Sequence, residues 1–230
     1  DVARKVTNKY ALRFGALANV GARLSQALIN IPIRIIRQLG VAMLEGAKSA
    51  LAFTEGLAEV TTLISGIQKL PLDSLGNDLI RLSNTYGKSS IDQVKGYYKA
   101  ISSGAKAGGE AMTVLTEANR LAVGGLATVE NSMSGLMAIL RSYNLEMKFA
   151  PLVTNSMFVA MKRANSTIPL IAENIGRLSS TAQAAGVSFN EMMSAFAVIT
   201  QGGIRTEESI VAANQVFKLF LRSSDKAKEQ

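Results

Sequence analysis

The 230 residues carry 25 basic and 17 acidic side chains, for a net charge of +8; 48% are hydrophobic, only 6% are aromatic, and tryptophan is absent. Cysteine and histidine are absent too, which excludes disulfides, thiolate chemistry, zinc sites and histidine general bases and leaves the redox compartment open. The length is ample for a buried core in one or two domains, and the wealth of Ala, Leu, Ile, Ser and Gly favours helices packed through small residues over β structure.

The charge is unevenly spread. Residues 1–40 hold seven basic residues against Asp1 alone, a net of +6 that leaves +2 for everything after. No window approaches 18 uncharged apolar residues, so a membrane span within the chain is not expected. Asp1 rather than Met begins the chain and no signal-peptide pattern follows, so the expectation is a piece of a longer polypeptide.

The first element is a basic amphipathic arm over residues 1–70. Tyr10, Phe14, Leu17, Gly21, Leu24, Leu28, Ile31 and Ile35 follow a four-three alternation, which predicts a long helix with one adhesive edge. Tyr10, Phe14, Leu17, Leu24, Leu28, Ile31 and Ile35 are therefore the candidate contacts with a second copy or a partner. Arg13, Arg23, Arg34 and Arg37 lie on the other side as candidate electrostatic contacts with a negative surface. A plain solvated face is the competing reading of those arginines. Pro32 interrupts the pattern and is expected to kink or divide the helix, which resumes beyond it. Ala42, Gly46 and Ala50 then place small residues on one stripe, read as tight helix packing. Phe53, Leu57, Val60, Ile64 and Ile67 give a second apolar edge.

Pro71 ends the arm, and a compact region of short helices is expected over 72–222. Leu72, Leu75, Leu79 and Leu82 open it. Ser90 with Gln93 reads as a capping box, followed by a stripe of Ile91, Val94, Tyr98 and Ile101 that stops at Gly104. Glu110 restarts a helix faced by Met112, Leu115, Ala118 and Ala122, and Gly124-Gly125 stops it. Thr128 caps the next, with Val129, Met133, Leu136, Leu140 and Tyr143 inward. Residues 147–163 follow, with Pro151 in an early turn and Ala150, Val153, Met157 and Met161 inside. Ile168, Ile171, Ile175, Leu178, Ala182 and Ala185 then make a stripe ending at Gly186. Ser188 and Glu191 form a second capping box ahead of Phe189, Met192, Phe196 and Ile199, with a stop at Gly202-Gly203. A last helix opens at Thr206, faced by Ile210, Val211, Asn214, Phe217 and Leu221, and residues 223–230 read as a charged tail. The expected class is all-α: long amphipathic N-terminal helices followed by a bundle of short helices joined by glycine corners. Ser90, Ile101, Gly104 and Glu110 match Ser188, Ile199, Gly202 and Glu208 at a constant offset of 98, which fits either an internal duplication or convergence on one helix-corner-helix solution.

Motifs for chemistry are weak. Ser103-Gly104-Ala105-Lys106 fits S-x-x-K, but the partner motifs S-D-N and K-T-G are absent. Gly87-Lys88-Ser89 ends like a phosphate-binding loop, yet the glycine it would need five positions earlier is Leu82, and a helix rather than a strand precedes it. No carboxylate spacing suits a metal, so no catalytic residue and no cofactor is expected.

The ordered pieces Tyr97-Tyr98-x-Ala100-Ile101-x-Ser103-Gly104-Ala105, Gly109-Glu110-Ala111, Leu115-x-x-Ala118, Leu121-Ala122-x-Gly124-Gly125-Leu126 and Leu140-x-x-Tyr143 resemble the core region of tail tape measure proteins of tailed phages. Leu178, Ala184-Ala185-Gly186-Val187-Ser188-Phe189 and Gly202-Gly203-Ile204-x-Thr206-Glu207-Glu208 continue the likeness in the same order, over roughly residues 50–217. The resemblance implies a non-enzymatic structural protein of the virion tail, made in the host cytoplasm. Such proteins occupy the tube lumen, set tail length and leave ahead of DNA. The partners it implies are tail tube and tail tip or baseplate hub proteins, further copies of the chain, and the host membrane at infection, with no sequence-specific nucleic acid. Family members usually run to many hundreds of residues, and as one continuous helix this chain would reach only ~345 Å. Two rival classes stand beside this reading: a membrane-active amphipathic helical protein assisting genome entry, and a lysine-serine hydrolase acting through Ser103.

Overall fold

A computed structural model describes the backbone of residues 33–64, 71–164 and 166–228, and the side chains of 43–64, 71–164 and 166–221. Among the described residues the protein is all-α, as the composition and the 3.6-residue periodicity predict, and no strand occurs. Two units divide at residues 62 and 63.

All but the last residue of α1, Ile33–Leu63, belongs to the first unit, and its 31 residues make a rod of ~46 Å. The break expected at Pro32 lies outside the described residues. Leu57 and Val60, on the second apolar edge, are buried, while Met43, Leu44 and Leu51 are each more than half exposed. Of the small-residue stripe, the Ala42 side chain lies outside the described set and Ala50 is half-buried. Gly46 is exposed, and a Cβ added there would meet nothing within 4 Å.

The second unit holds eight helices among the described residues: α2 (Leu72–Tyr86), α3 (Ser90–Ser102), α4 (Gly109–Gly124), α5 (Val129–Ser142), α6 (Ala150–Arg163, after a 3-10 turn at Met147–Phe149), α7 (Ile168–Ala184), α8 (Phe189–Gln201) and α9 (Thr206–Lys228). Central α4 packs on α3, α5 and α6; α7 packs on α5 and α9; α8 bridges α6 and α9. The last helix runs through Lys228, so its backbone includes most of the stretch read as a tail.

Why the helices start and stop where they do follows from capping. Ser89, Thr128 and Ser188 each accept a hydrogen bond at the side-chain oxygen from the backbone N–H three residues on, satisfying a donor the helix leaves free. At Ser188 the box is reciprocal, because Glu191 accepts from the Ser188 N–H at 2.9 Å. Those bonds, first from the hydroxyl and then from the backbone, hold the Glu191 carboxyl below its usual range. The other expected box is displaced by one: Ser89, not Ser90, is the cap, and Gln93 faces the core.

Four corners share one geometry. A residue in the left-handed region is followed two positions later by the next N-cap, at Gly87 and Ser89, Leu126 and Thr128, Asn144 and Glu146, and Gly186 and Ser188. Beyond each of the last three left-handed residues, an N–H reaches back five residues, from Ala127 to Ala122, Leu145 to Leu140 and Val187 to Ala182, at 2.7–2.9 Å. The corner at Gly186 is one of the expected glycine corners; those at Leu126 and Asn144 have no glycine at the left-handed position.

Most expected faces are met in α5, α7 and α8, where Met133, Leu136, Leu140, Ile171, Ile175, Leu178, Met192 and Phe196 are buried. Two faces are corrected. In α3 it is Tyr97, not Tyr98, that is buried, because the inward face also carries Gln93 and Gly96, which hydropathy does not mark. In α9, Val211 is 53% exposed and Ala213 takes its place inside.

The tightest helix pair is α5 with α7, built from small residues. A Cβ added at Gly135 would stand 2.7 Å from the Ala172 Cβ, and one at Gly176 3.3 Å from the Ala138 Cβ. Ser179 Oγ donates to Ser142 Oγ at 2.9 Å further along the same seam. Between α3 and α4, Gln93 and Asn119 exchange amide hydrogen bonds of 2.8 and 2.7 Å in full burial. Each satisfies a group that would otherwise cost about 1–3 kcal/mol to bury.

Candidate functional site

The motifs singled out for chemistry are occupied by structural work. The Lys88 ammonium donates to the Ala127 carbonyl at 3.1 Å, and Ser89 caps α3, so the Gly87-Lys88-Ser89 corner is tied to the α4–α5 corner. Ser103 is the C-cap of α3, while the Lys106 side chain is 80% exposed beside Glu110 at 3.9 Å, a solvated ion pair and not a desolvated base. Among the described residues no group of acidic side chains is arranged to hold a metal. None of these helices is long and apolar enough to cross a membrane.

Tyrosines brace the loops. Tyr97 is buried, and its hydroxyl oxygen accepts from the Gly108 N–H at 2.8 Å, fixing the α3–α4 loop. Burial pushes this phenol above its ordinary value. The Tyr143 hydroxyl donates to the Val187 carbonyl at 3.2 Å, and its ring meets Phe189 edge-on at 5.8 Å, joining the end of α5 to the start of α8. Burial first, and the Glu191 carboxylate second, raise this phenol to about 12.

Of the sequence-predicted contact residues, Tyr10, Arg13, Phe14, Leu17, Arg23, Leu24, Leu28 and Ile31 lie outside the described residues. Arg34, Ile35 and Arg37 belong to α1 by their backbone, and their side chains lie outside the described set. The surface features the structure does present are two that sequence reasoning missed.

The first is the corner Val123-Gly124-Gly125-Leu126. The sequence predicts glycines as the left-handed stop, yet the left-handed residue is Leu126, at φ 51°, with its side chain 91% exposed. That conformation costs a leucine roughly 1 kcal/mol. The two glycines serve close approach instead: a Cβ at Gly124 would stand 2.7 Å from the Phe158 ring, and one at Gly125 would collide with Ile168. In the first turn of α5, Glu130 is exposed and makes no ion pair among the described residues.

The second is a groove of ≈ 260 Å³ between α6 and α8. Buried Ala160, Met193 and Ala197 form its floor. Exposed Asn155, Val159 and Asn190 stand on its rim with Arg163, the one charged residue lining it and one that makes no ion pair among the described residues. Amphipathic spacing cannot reveal such a groove, because it arises from how far two helices stand apart.

The described residues form an all-α bundle with braced corners and two exposed surface features, the Leu126 corner and the α6–α8 groove. By comparison with known proteins, the chain belongs to the phage-related minor tail protein family, whose model matches residues 76–230. It is also similar to the probable tape measure protein of Clostridium phage phiCD119 (strain Clostridium difficile/United States/Govind/2006), with 21% identity over 161 residues. That match covers 69% of this chain and only 17% of the phage protein, so the chain corresponds to a minor part of its relative's length. No solved structure matches. The chain is a phage tail protein related to tape measure proteins.

Proposed function

We propose that this chain is part of a tape measure protein that occupies the tail tube, contributes to setting tail length during assembly and is released ahead of DNA at ejection. The observation that carries the reading is its likeness to a tape measure protein about six times as long as the matched stretch, within a family of phage tail proteins. The helical rod of α1 supports it, since length is set at 1.5 Å per residue only where chain runs extended along the tube. The compact unit then serves as a folded module that anchors or docks, and the protein acts structurally and not as an enzyme.

In this reading the edge of Tyr10, Phe14, Leu17, Leu24, Leu28, Ile31 and Ile35 binds further copies or a tube, tail tip or baseplate hub protein. Arg13, Arg23, Arg34 and Arg37 face an acidic lumen wall, and the host membrane is met only at infection. Crosslinking mass spectrometry on intact tails tests the location. Peptides of this chain are expected to link to the inner face of the tube subunit and to disappear from particles that have ejected. Links to the outer face, or retention after ejection, would sink the reading. Charge reversal at Arg23, Arg34 and Arg37 together is expected to impair tail assembly.

A further inference from the structure

We infer that the Leu126 corner of one copy seats in the α6–α8 groove of a second copy. Leu126 is 91% exposed in a left-handed conformation that the corners at Gly87, Gly104, Gly186 and Gly203 reach without a side chain to strain. A leucine held exposed in a strained conformation adds little to its own fold, and the strain points to a contact made outside it. Val123, 47% exposed, widens the knob.

Charge identifies the occupant of the groove as this same chain. The knob carries the unpaired Glu130 carboxylate one turn beyond Leu126, and the groove carries the unpaired Arg163 guanidinium one turn beyond Val159. With Leu126 over the Ala160, Met193 and Ala197 floor, a guanidinium and a carboxylate meet at the rim, where Asn155 and Asn190 supply amides.

The two features lie on different flanks of the molecule. The corner abuts α6 through Phe158, which lies about 100° round that helix from the Asn155, Val159 and Arg163 face at 3.6 residues per turn. Knob and groove are separate patches, so they pair either reciprocally across a two-fold axis or head to tail around a ring or along a file of copies. This interface uses neither the basic arm nor the tape measure reading, and it stands or falls apart from both.

The test places a photo-crosslinking phenylalanine analogue at position 126 of the full chain, mixed as isotopically light and heavy protein. Adducts are expected between light and heavy copies, on residues 155–163 and 190–197. Sedimentation of the unmodified-backbone variants gives the second readout. Leu126→Gly, which relieves the strain while removing the knob, is expected to weaken this association by about tenfold or more. Glu130→Arg and Arg163→Glu each weaken it, and the double exchange restores it. Adducts confined to one copy, adducts on the arm, association indifferent to Leu126→Gly, or a chain that stays monomeric at millimolar concentration would each overturn the proposal.

Discussion

Two helix pairs in the compact unit show how side-chain size decides whether a seam closes or stays open. Between α5 and α7, Gly135, Ala138, Ala172 and Gly176 bring the helices so near that an added Cβ would stand 2.7 Å from its neighbour. Between α6 and α8, the longer Asn155, Arg163 and Asn190 line a groove of ≈ 260 Å³ over a floor of Ala160, Met193 and Ala197. The same fold thus makes one seam for stability and leaves the other as surface. The closed seam tolerates almost no change of volume; the open one tolerates it freely.

The largest test of that contrast is Gly135→Val against Ser194→Val. The first forces a branched side chain onto the Ala172 backbone, whose Cα would lie 2.9 Å from even a Cβ, and is expected to destabilise the unit by about 3 kcal/mol or more. The second sits on an exposed part of the groove and should change stability by less than about 0.5 kcal/mol. Thermal melts of both variants check the pair.

Next in size is Asn119→Leu, which strands the buried Gln93 amide and should cost about 1–3 kcal/mol. Adding Gln93→Leu is expected to recover part of that loss, since both polar partners are then gone. A double-mutant cycle in denaturant measures the coupling.

Smaller again is Tyr143→Phe, expected to cost about 1 kcal/mol by leaving the Val187 carbonyl without its hydroxyl donor. Its pH signature follows from the raised phenol. With the folded group at about 12 and the unfolded one near 10, this contribution is complete below pH ~10 and is lost as pH rises towards 12. The phenylalanine variant should lose that part of the alkaline slope. Of similar size but opposite sign is Leu126→Gly, expected to raise stability by about 1 kcal/mol because the left-handed strain goes with the side chain.

These sites also show what could be read from the sequence. The helices and their order followed from periodicity and caps, and Thr128, Ser188 and Glu191 cap where their spacing predicts. In α3 the error was of one residue, with larger consequences. Taking Ser90 for Ser89 turned buried Gln93 into a cap residue and put Tyr98 inside for Tyr97. The two capped segments correspond at an offset of 99, with Ser89 against Ser188, Tyr97 against Phe196 and left-handed Gly104 against left-handed Gly203, and not at the 98 suggested by residue identities. The Gly124-Gly125 pair reads locally as a stop, although its glycines answer to Phe158 and Ile168, more than thirty residues away. Close approach and groove depth are tertiary quantities, and no local pattern encodes them.

The most direct measurement of the functional account is tail length by electron microscopy in particles whose complete tape measure protein lacks residues 33–63. If α1 lies along the tube as a rod, tails should shorten by ~46 Å, at 1.5 Å per deleted residue. Tails of unchanged length in assembled particles would contradict the account, because the helix would then play no part in measuring them.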